Sequence, residues 1–210
     1  MKTYQQQNKP FAIDAQLLFK ELQNGALLLD VRYIHSVLTT GSIANALFIG
    51  VQGNLEGWAQ VLINKKSTPI FLLKEDDSDF ETLKNRLQQV GFERVMGFLA
   101  GGIDAWKAQG FAIEPYHAVH PAEFAHTFDS INSNSIIDVR TQREFEHQHL
   151  KGSRNIPLDQ LHQFIKTLTN ENPYYMICAG GYRSVIAASI LKQNHICNTI
   201  DVYGGIKNFH

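Results

Sequence analysis

Four stretches of the first hundred residues return, altered but in the same order, in the second hundred. "LLLDVR" (27–32) comes back as "SIIDVR" (135–140), and "GSIANALF" (41–48) as "GSRNIPL" (152–158) with a one-residue gap. "PIFLLK" (69–74) corresponds to "PYYMIC" (173–178), and "GGIDAWK" (101–107) to "GGIKNFH" (204–210). The starting positions differ by 108, 111, 104 and 103 residues in that order, a drift that small loop insertions explain. A period of roughly 100 residues is the size of a domain and far too long for a solenoid repeat. The chain therefore reads as a duplicated domain, residues 1–114 and 115–210. The seam is expected in "IEPYHAVHP" (113–121), where two prolines break the pattern. Apolar residues make up 44% of the 210, enough to build a core in each half.

Within each half, strand and helix signals alternate. "ALLLDV", "PIFLL" and "RVMGFL" in the first half, and "SIIDV", "YYMI" and "NTIDVY" in the second, are short apolar runs suited to strands buried on both faces. "DFETLKNRLQQVG" places Phe80, Leu83, Leu87 and Val90 at helical spacing and ends on Gly91, and "RSVIAASILKQN" has the same character. The predicted class is α/β: two domains, each a central, mostly parallel sheet with helices on both faces. Ligands of such sheets sit outside the carboxyl ends of the strands. Cys178 falls at such an end, just before a helix.

The loop "CAGGYRS" is built for negative charge. Ala179, Gly180, Gly181 and Tyr182 fill the predicted turn, and glycine lets successive backbone N–H groups face one point. The positive end of the following helix adds to them. Arg183 supplies a permanent cation and a planar set of donors, and Ser184 follows it. The expectation is that a Cys178 thiolate, a persulfide or an incoming anion is stabilised here. The rest of the chain narrows the setting. A net charge of −1 offers no basic field for nucleic acid or anionic lipid. No apolar run approaches the roughly 20 residues that span a bilayer. The polar start "MKTYQQQNKP" lacks an apolar signal core. Two cysteines, Cys178 and Cys197, make no disulfide framework. A reducing, cytoplasmic setting with free thiols is expected.

A strand followed by Cys-x-x-x-x-Arg-Ser and a helix resembles the active loop of the rhodanese sulfurtransferase family. "DVRTQREFEHQHLKGSRNIP" (138–157) is similar to that family's Asp-Val-Arg…Glu-Phe…His-x-x-Gly-[Ala/Ser]-x-Asn-Ile-Pro signature, with Gln148 standing where a glycine is usual. "GGIKNF" is similar to its closing Gly-Gly element. All the motifs fall within residues 118–210; over 10–110 the likeness rests on "DVR", "GSIANA" and "GGIDAW". The resemblance implies two rhodanese-like domains. Four residues between Cys178 and Arg183 imply a loop sized for sulfur, where the related phosphatase-type loop has five. It further implies covalent catalysis: Cys178 takes a sulfane sulfur from thiosulfate or a low-molecular-weight persulfide and yields it, from a persulfide, to cyanide, a thiol or a protein acceptor. Arg183, Ala179, Gly180, Gly181, Tyr182 and Ser184 would hold the anionic donor, with no metal or organic cofactor. Alternatives stay open: a sulfur-relay or regulatory module, possibly the rear part of a persulfide dioxygenase fusion; an inactive binding module; and a phosphatase or arsenate reductase-like enzyme, which the short loop disfavours.

The first half lacks this equipment. Lys74 stands where Cys178 stands, and "EDDSD" (75–79) replaces the glycines and arginine with four acidic residues, which would repel an anion. That half is expected to be catalytically silent and to serve as a docking surface or to shape the entrance of the other half. It is also an internal control. Asp30-Val31-Arg32 persists there with no nucleophile to serve, so Asp138 and Arg140 are expected to be structural, as are the Gly-Gly pairs 101–102 and 204–205 and the aromatic residues Trp106 and Phe209. Cys197 reads as a small apolar residue. His147 and His149 sit two apart without a third ligand, so no metal site is expected. His117, His120 and His126 read as surface or linker residues.

Overall fold

The computed structural model describes residues 10–209. The polar start (residues 1–9) and His210 of the closing motif lie outside the described residues. The first half runs β1 (Ala12–Ile13), α1 (Ala15–Gln23), β2 (Leu27–Asp30), α2 (Ile34–Thr40), β3 (Ser42–Ile43), β4 (Leu47–Phe48), α3 (Leu55–Leu62), β5 (Ile70–Leu73), α4 (Phe80–Gln89), β6 (Val95–Leu99), α5 (Gly102–Ala108) and β7 (Ile113–Glu114). The second runs β8 (His117–Val119), α6 (Pro121–Thr127), β9 (Ile136–Asp138), α7 (Gln142–His147), β10 (Arg154–Asn155), α8 (Leu161–Phe164), β11 (Tyr174–Ile177), α9 (Tyr182–Gln193) and β12 (Thr199–Val202).

Each half holds one five-stranded sheet whose neighbouring strands are all parallel. The orders are β1-β6-β5-β2-β4 and β8-β12-β11-β9-β10, which are the same order element for element. The duplication seen in the motifs is thus a duplication of topology. Strands β2 and β5 are buried along nearly their whole length, as expected for parallel strands covered on both faces. One face of the first sheet packs Leu28, Phe71 and Leu73 against Leu18 of α1 and Trp106 of α5. Its other face packs Leu29 and Leu72 against Leu55 of α3 and Leu83 and Leu87 of α4. In the second sheet, Ile136, Ile177 and Val202 meet Phe124 of α6, while Ile137 and Met176 meet Leu161 of α8 and the apolar residues of α9. Near the seam, β7 pairs antiparallel with β3 of the first half, and β8 is already an edge strand of the second sheet.

Helix α9 departs from the expected one-sided pattern. Every residue from Ser184 to Lys192 is buried. The reason is its position. It covers its own sheet with one side and lies on β4 of the first half with the other, where Ser189 Oγ accepts the Phe48 N–H at 3.1 Å. Gln193 Nε2 donates to the Asn45 carbonyl at 2.9 Å, and buried Lys192 lies 3.6 Å from Glu114. One apolar core consequently runs through both halves, from Leu29 and Phe48 to Cys178 and Val185. Among the described residues, no helix is long and apolar enough to cross a membrane.

Candidate active site at the Cys178 loop

The site grows from β11, a central strand flanked by β9 and β12. Tyr174, Met176 and Cys178 alternate onto the α9 side. Cys178 is 1% exposed, Ala179 is half-buried and Gly180 is exposed, so the thiol lies at the floor of the loop. Gly181 caps α9 in the left-handed region (φ 89°), which a side-chain-bearing residue enters only with strain. That turn points the Gly181 N–H at Cys178 Sγ, 3.0 Å away. Ser184, one turn into the helix, places its hydroxyl 3.4 Å from the same sulfur. The sulfur therefore faces one helix-terminal amide and one hydroxyl. Tyr182 does not fill the turn: with Gly181 as cap, it opens the helix.

Tyr182 leaves the loop altogether. Its hydroxyl donates to the Gly50 carbonyl of the first half at 2.8 Å, and its ring lies over Gly53, where a Cβ would come within 2.2 Å of Tyr182 Cζ. Burial pushes its hydroxyl well above the usual tyrosine range. The first half thus holds one end of the Cys178 loop.

Arg183 turns onto Glu144 in a two-pronged ion pair, 2.7 Å from Nη1 to Oε2 and 2.6 Å from Nη2 to Oε1. Glu144 also closes a capping box with Thr141 at the start of α7. The hydrogen bond from Arg183 comes first among the causes that hold the Glu144 carboxyl down at about 2. A carboxylate depressed in the fold adds stability above its ordinary value near 4.5, and that stability drains away as the pH falls toward 2. Because Glu144 is 36% exposed, screening trims the contribution to about 1 kcal/mol. Glu144→Gln is therefore expected to cost about 1 kcal/mol at neutral pH and to flatten the acid limb of stability, read by urea unfolding at pH 7 and pH 3. An unchanged acid limb would show that the pair contributes nothing.

Asp138 and Arg140 form the post beneath the loop. The carboxylate accepts from Arg140 N at 2.9 Å, Nε at 3.0 Å and Nη2 at 2.7 Å, and Arg140 Nη2 also donates to the Gln148 carbonyl. Asp30 and Arg32 repeat the arrangement in the first half, with Ser42 Oγ and the Gly41 carbonyl as further partners. His149 stacks on Phe145, with centroids 4.1 Å apart. Among the described residues, no group of three or more His, Cys, Asp or Glu side chains is placed to hold a metal ion.

In the corresponding loop of the first half, the chain's own carboxylate occupies the helix terminus. Six residues, Lys74 to Asp79, connect β5 to α4, where four, Cys178 to Gly181, connect β11 to α9. Asp79 caps α4 with its carboxylate on Thr82 N at 2.8 Å, so the helix terminus is already taken by an anion. Glu75 accepts from Tyr33 N, and Lys74 lies over the Phe98 ring.

The family model for the rhodanese-like domain matches this chain twice, over residues 14–109 and 120–210. The chain belongs to the rhodanese-like family. Among its relatives, an uncharacterized Bacillus subtilis protein, YqhL, is 39% identical over 74 residues, which is 35% of this chain and 59% of the relative. The "adenylyltransferase and sulfurtransferase uba4" of Ogataea parapolymorpha is 36% identical over 72 residues, 34% of this chain and 18% of the relative. The rhodanese-like chain therefore spans well under two thirds of either. Of solved structures, a rhodanese-related protein of Thermoplasma volcanium is 31% identical, with a TM-score of 0.40, covering 45% of this chain and 90% of its own. A thiosulfate sulfurtransferase of Pseudomonas aeruginosa is 19% identical, with a TM-score of 0.41, covering 93% of this chain and 41% of its own.

Two residues of this rhodanese-like site escaped the sequence reading. Gly205, treated there as a general structural glycine, seats the Cys178 carbonyl: a Cβ at Gly205 would lie 2.2 Å from that oxygen, and Ile206 N donates to it at 2.8 Å. Gly102, its counterpart, has nothing within 4 Å of a built Cβ. Asp201 lies buried under Gly181. Its one sequence signal is an acidic residue inside the apolar run "TIDVY".

Proposed function

We propose that this protein is a sulfurtransferase whose second half carries the reaction on Cys178. What supports this best is the placement of Cys178 Sγ, at the carboxyl end of a central strand and 3.0 Å from the Gly181 N–H at the start of α9. An amide at a helix N-terminus favours negative charge on whatever it faces, whether thiolate, persulfide or a departing anion. Family membership and a relative whose name includes sulfurtransferase point the same way.

In the proposed reaction, the Cys178 thiolate attacks the outer sulfur of thiosulfate or of a low-molecular-weight persulfide. A new S–S bond forms, the donor's S–S bond breaks, and sulfite or a thiolate leaves with the electron pair. Cyanide, a thiol or a protein acceptor then attacks the outer sulfur of the Cys178 persulfide, and the Cys178 thiolate leaves. Because Arg183 is paired with Glu144, anchoring of the donor falls first to the Gly181 amide and Ser184. The first half serves as a brace through Tyr182. Free thiols suit the reducing cytoplasm as the place of reaction.

The test is mass spectrometry of Cys178 after thiosulfate alone, together with thiocyanate release when cyanide is added. Cys178 should gain one sulfur atom and lose it to cyanide, and Cys178→Ser should reduce thiocyanate to the uncatalysed level. A Cys178 peptide that stays unmodified with thiosulfate and with glutathione persulfide overturns the proposal.

A further inference from the structure

Strand β12 carries one acidic side chain, Asp201, between Ile200 and Val202. It is 3% exposed, and neither carboxyl oxygen has a hydrogen-bond partner among the described residues. An ionised carboxylate in such a place is expensive, and a neutral one needs an acceptor for its proton. Its position ties it to the Cys178 loop. Asp201 Oδ2 lies 4.0 Å from the point where a Gly181 side chain would begin, and Gly181 is the residue whose N–H meets Cys178 Sγ. Ser184 directs its hydroxyl at Cys178 Sγ, 3.4 Å away.

We infer that Asp201 tunes Cys178 through its charge: neutral in its buried place under Gly181, it lets the loop floor hold a negative sulfur. When Asp201 releases its proton to solvent, a carboxylate stands under the residue whose N–H meets the sulfur. Two like charges in one dry site oppose each other. In support, burial pushes the Asp201 carboxyl up to about 7. The other ionisable groups nearby are committed or exposed. On α9, Arg183 is bound to Glu144, and Lys192 to the Cys197 carbonyl and Glu114. Strands β8 and β11 set Ala118 and Met176 beside Asp201, and Tyr174 of β11 accepts from Thr169 N with its hydroxyl. His117, Tyr203 and Lys207 are exposed. Cys178 is thus the ionisable group that shares the loop floor with Asp201.

The inference rests on Cys178 being the sulfur-accepting thiol, and its test does not need turnover. In a Cys197→Ser background, Cys178 is the chain's single thiol. An infrared pH titration then follows the S–H stretch of Cys178 and the C=O stretch of a buried carboxylic acid in the same spectrum. The carboxylic acid band should bleach near pH 7 and be missing in Asp201→Asn, with Asp201→Ser as a second variant. The S–H band should bleach at a pH lower by at least about one unit, a tenfold change, once Asp201 is replaced. Absence of a titrating carboxylic acid band, or S–H bleaching at one pH in all chains, overturns the inference. If the bands shift as expected but Cys178 takes up no sulfur, the Asp201 coupling stands and the sulfur-transfer reading fails.

Discussion

Gly205→Ala is expected to lower the unfolding free energy by about 3 kcal/mol and sulfur loading of Cys178 by about a hundredfold. The residue sits at φ 65°, where a Cβ would fall 2.2 Å from the Cys178 carbonyl oxygen and 2.9 Å from the carbonyl carbons of Cys178 and Ala179. All three are backbone atoms, so no side chain can swing aside. Either the Gly204–Gly205 turn or the Cys178 loop must move, and the bond from Ile206 N to the Cys178 carbonyl goes with it. The loop's value lies in aiming one amide at one sulfur, so a displacement of an ångström removes the effect. Gly102→Ala is the control within the same molecule. Gly102 also has positive φ (55°), but open space surrounds its Cβ position, so that change should cost only the left-handed penalty of about 1 kcal/mol. Equal losses in the two variants, measured by urea unfolding, would show that the turn does not bear on the loop.

Asp138→Ala and Asp30→Ala are each expected to cost about 3–5 kcal/mol, because each strands a buried guanidinium. Arg140 is 4% exposed and Arg32 is 3% exposed, and each directs three donor atoms, N, Nε and Nη2, at its aspartate. The same cost in both halves is the significant outcome, since only the second half contains cysteine. Urea unfolding of the two variants reads it. If Asp138→Ala left stability intact while abolishing sulfur loading, the pair would belong to the chemistry and not to the frame.

The repeated motifs made the duplication legible because each sits at a strand end or tight turn, where few residue types fit. Asp-Val-Arg needs a buried pair, and Gly-Gly needs two positive φ values, 69° and 55° in one half and 73° and 65° in the other. The Cys178 turn was legible for the same reason: Gly181 must enter the left-handed region to bring its N–H to the sulfur. The missing thiol of the first half could also be read from Lys74 and the acidic run, though the cap that Asp79 places on α4 could not.

The partners that act across the chain were not legible. Arg183 meets Glu144 from 39 positions away, and Tyr182 reaches Gly50 from 132. Nothing local in "CAGGYRS" distinguishes an arginine that faces the loop from one held by a carboxylate on α7.

By itself the sequence determined the alternation of strand and helix, the doubling of the domain and the position of the thiol before a glycine cap, because local backbone preference and short-range apolar pattern suffice for these. Tertiary structure alone decided that α9 is buried on every side, that Gly205 seats the Cys178 carbonyl and that Asp201 lies buried under Gly181. Those depend on which distant segments are packed together, and burial, steric fit and the cost of a charge are properties of that packing.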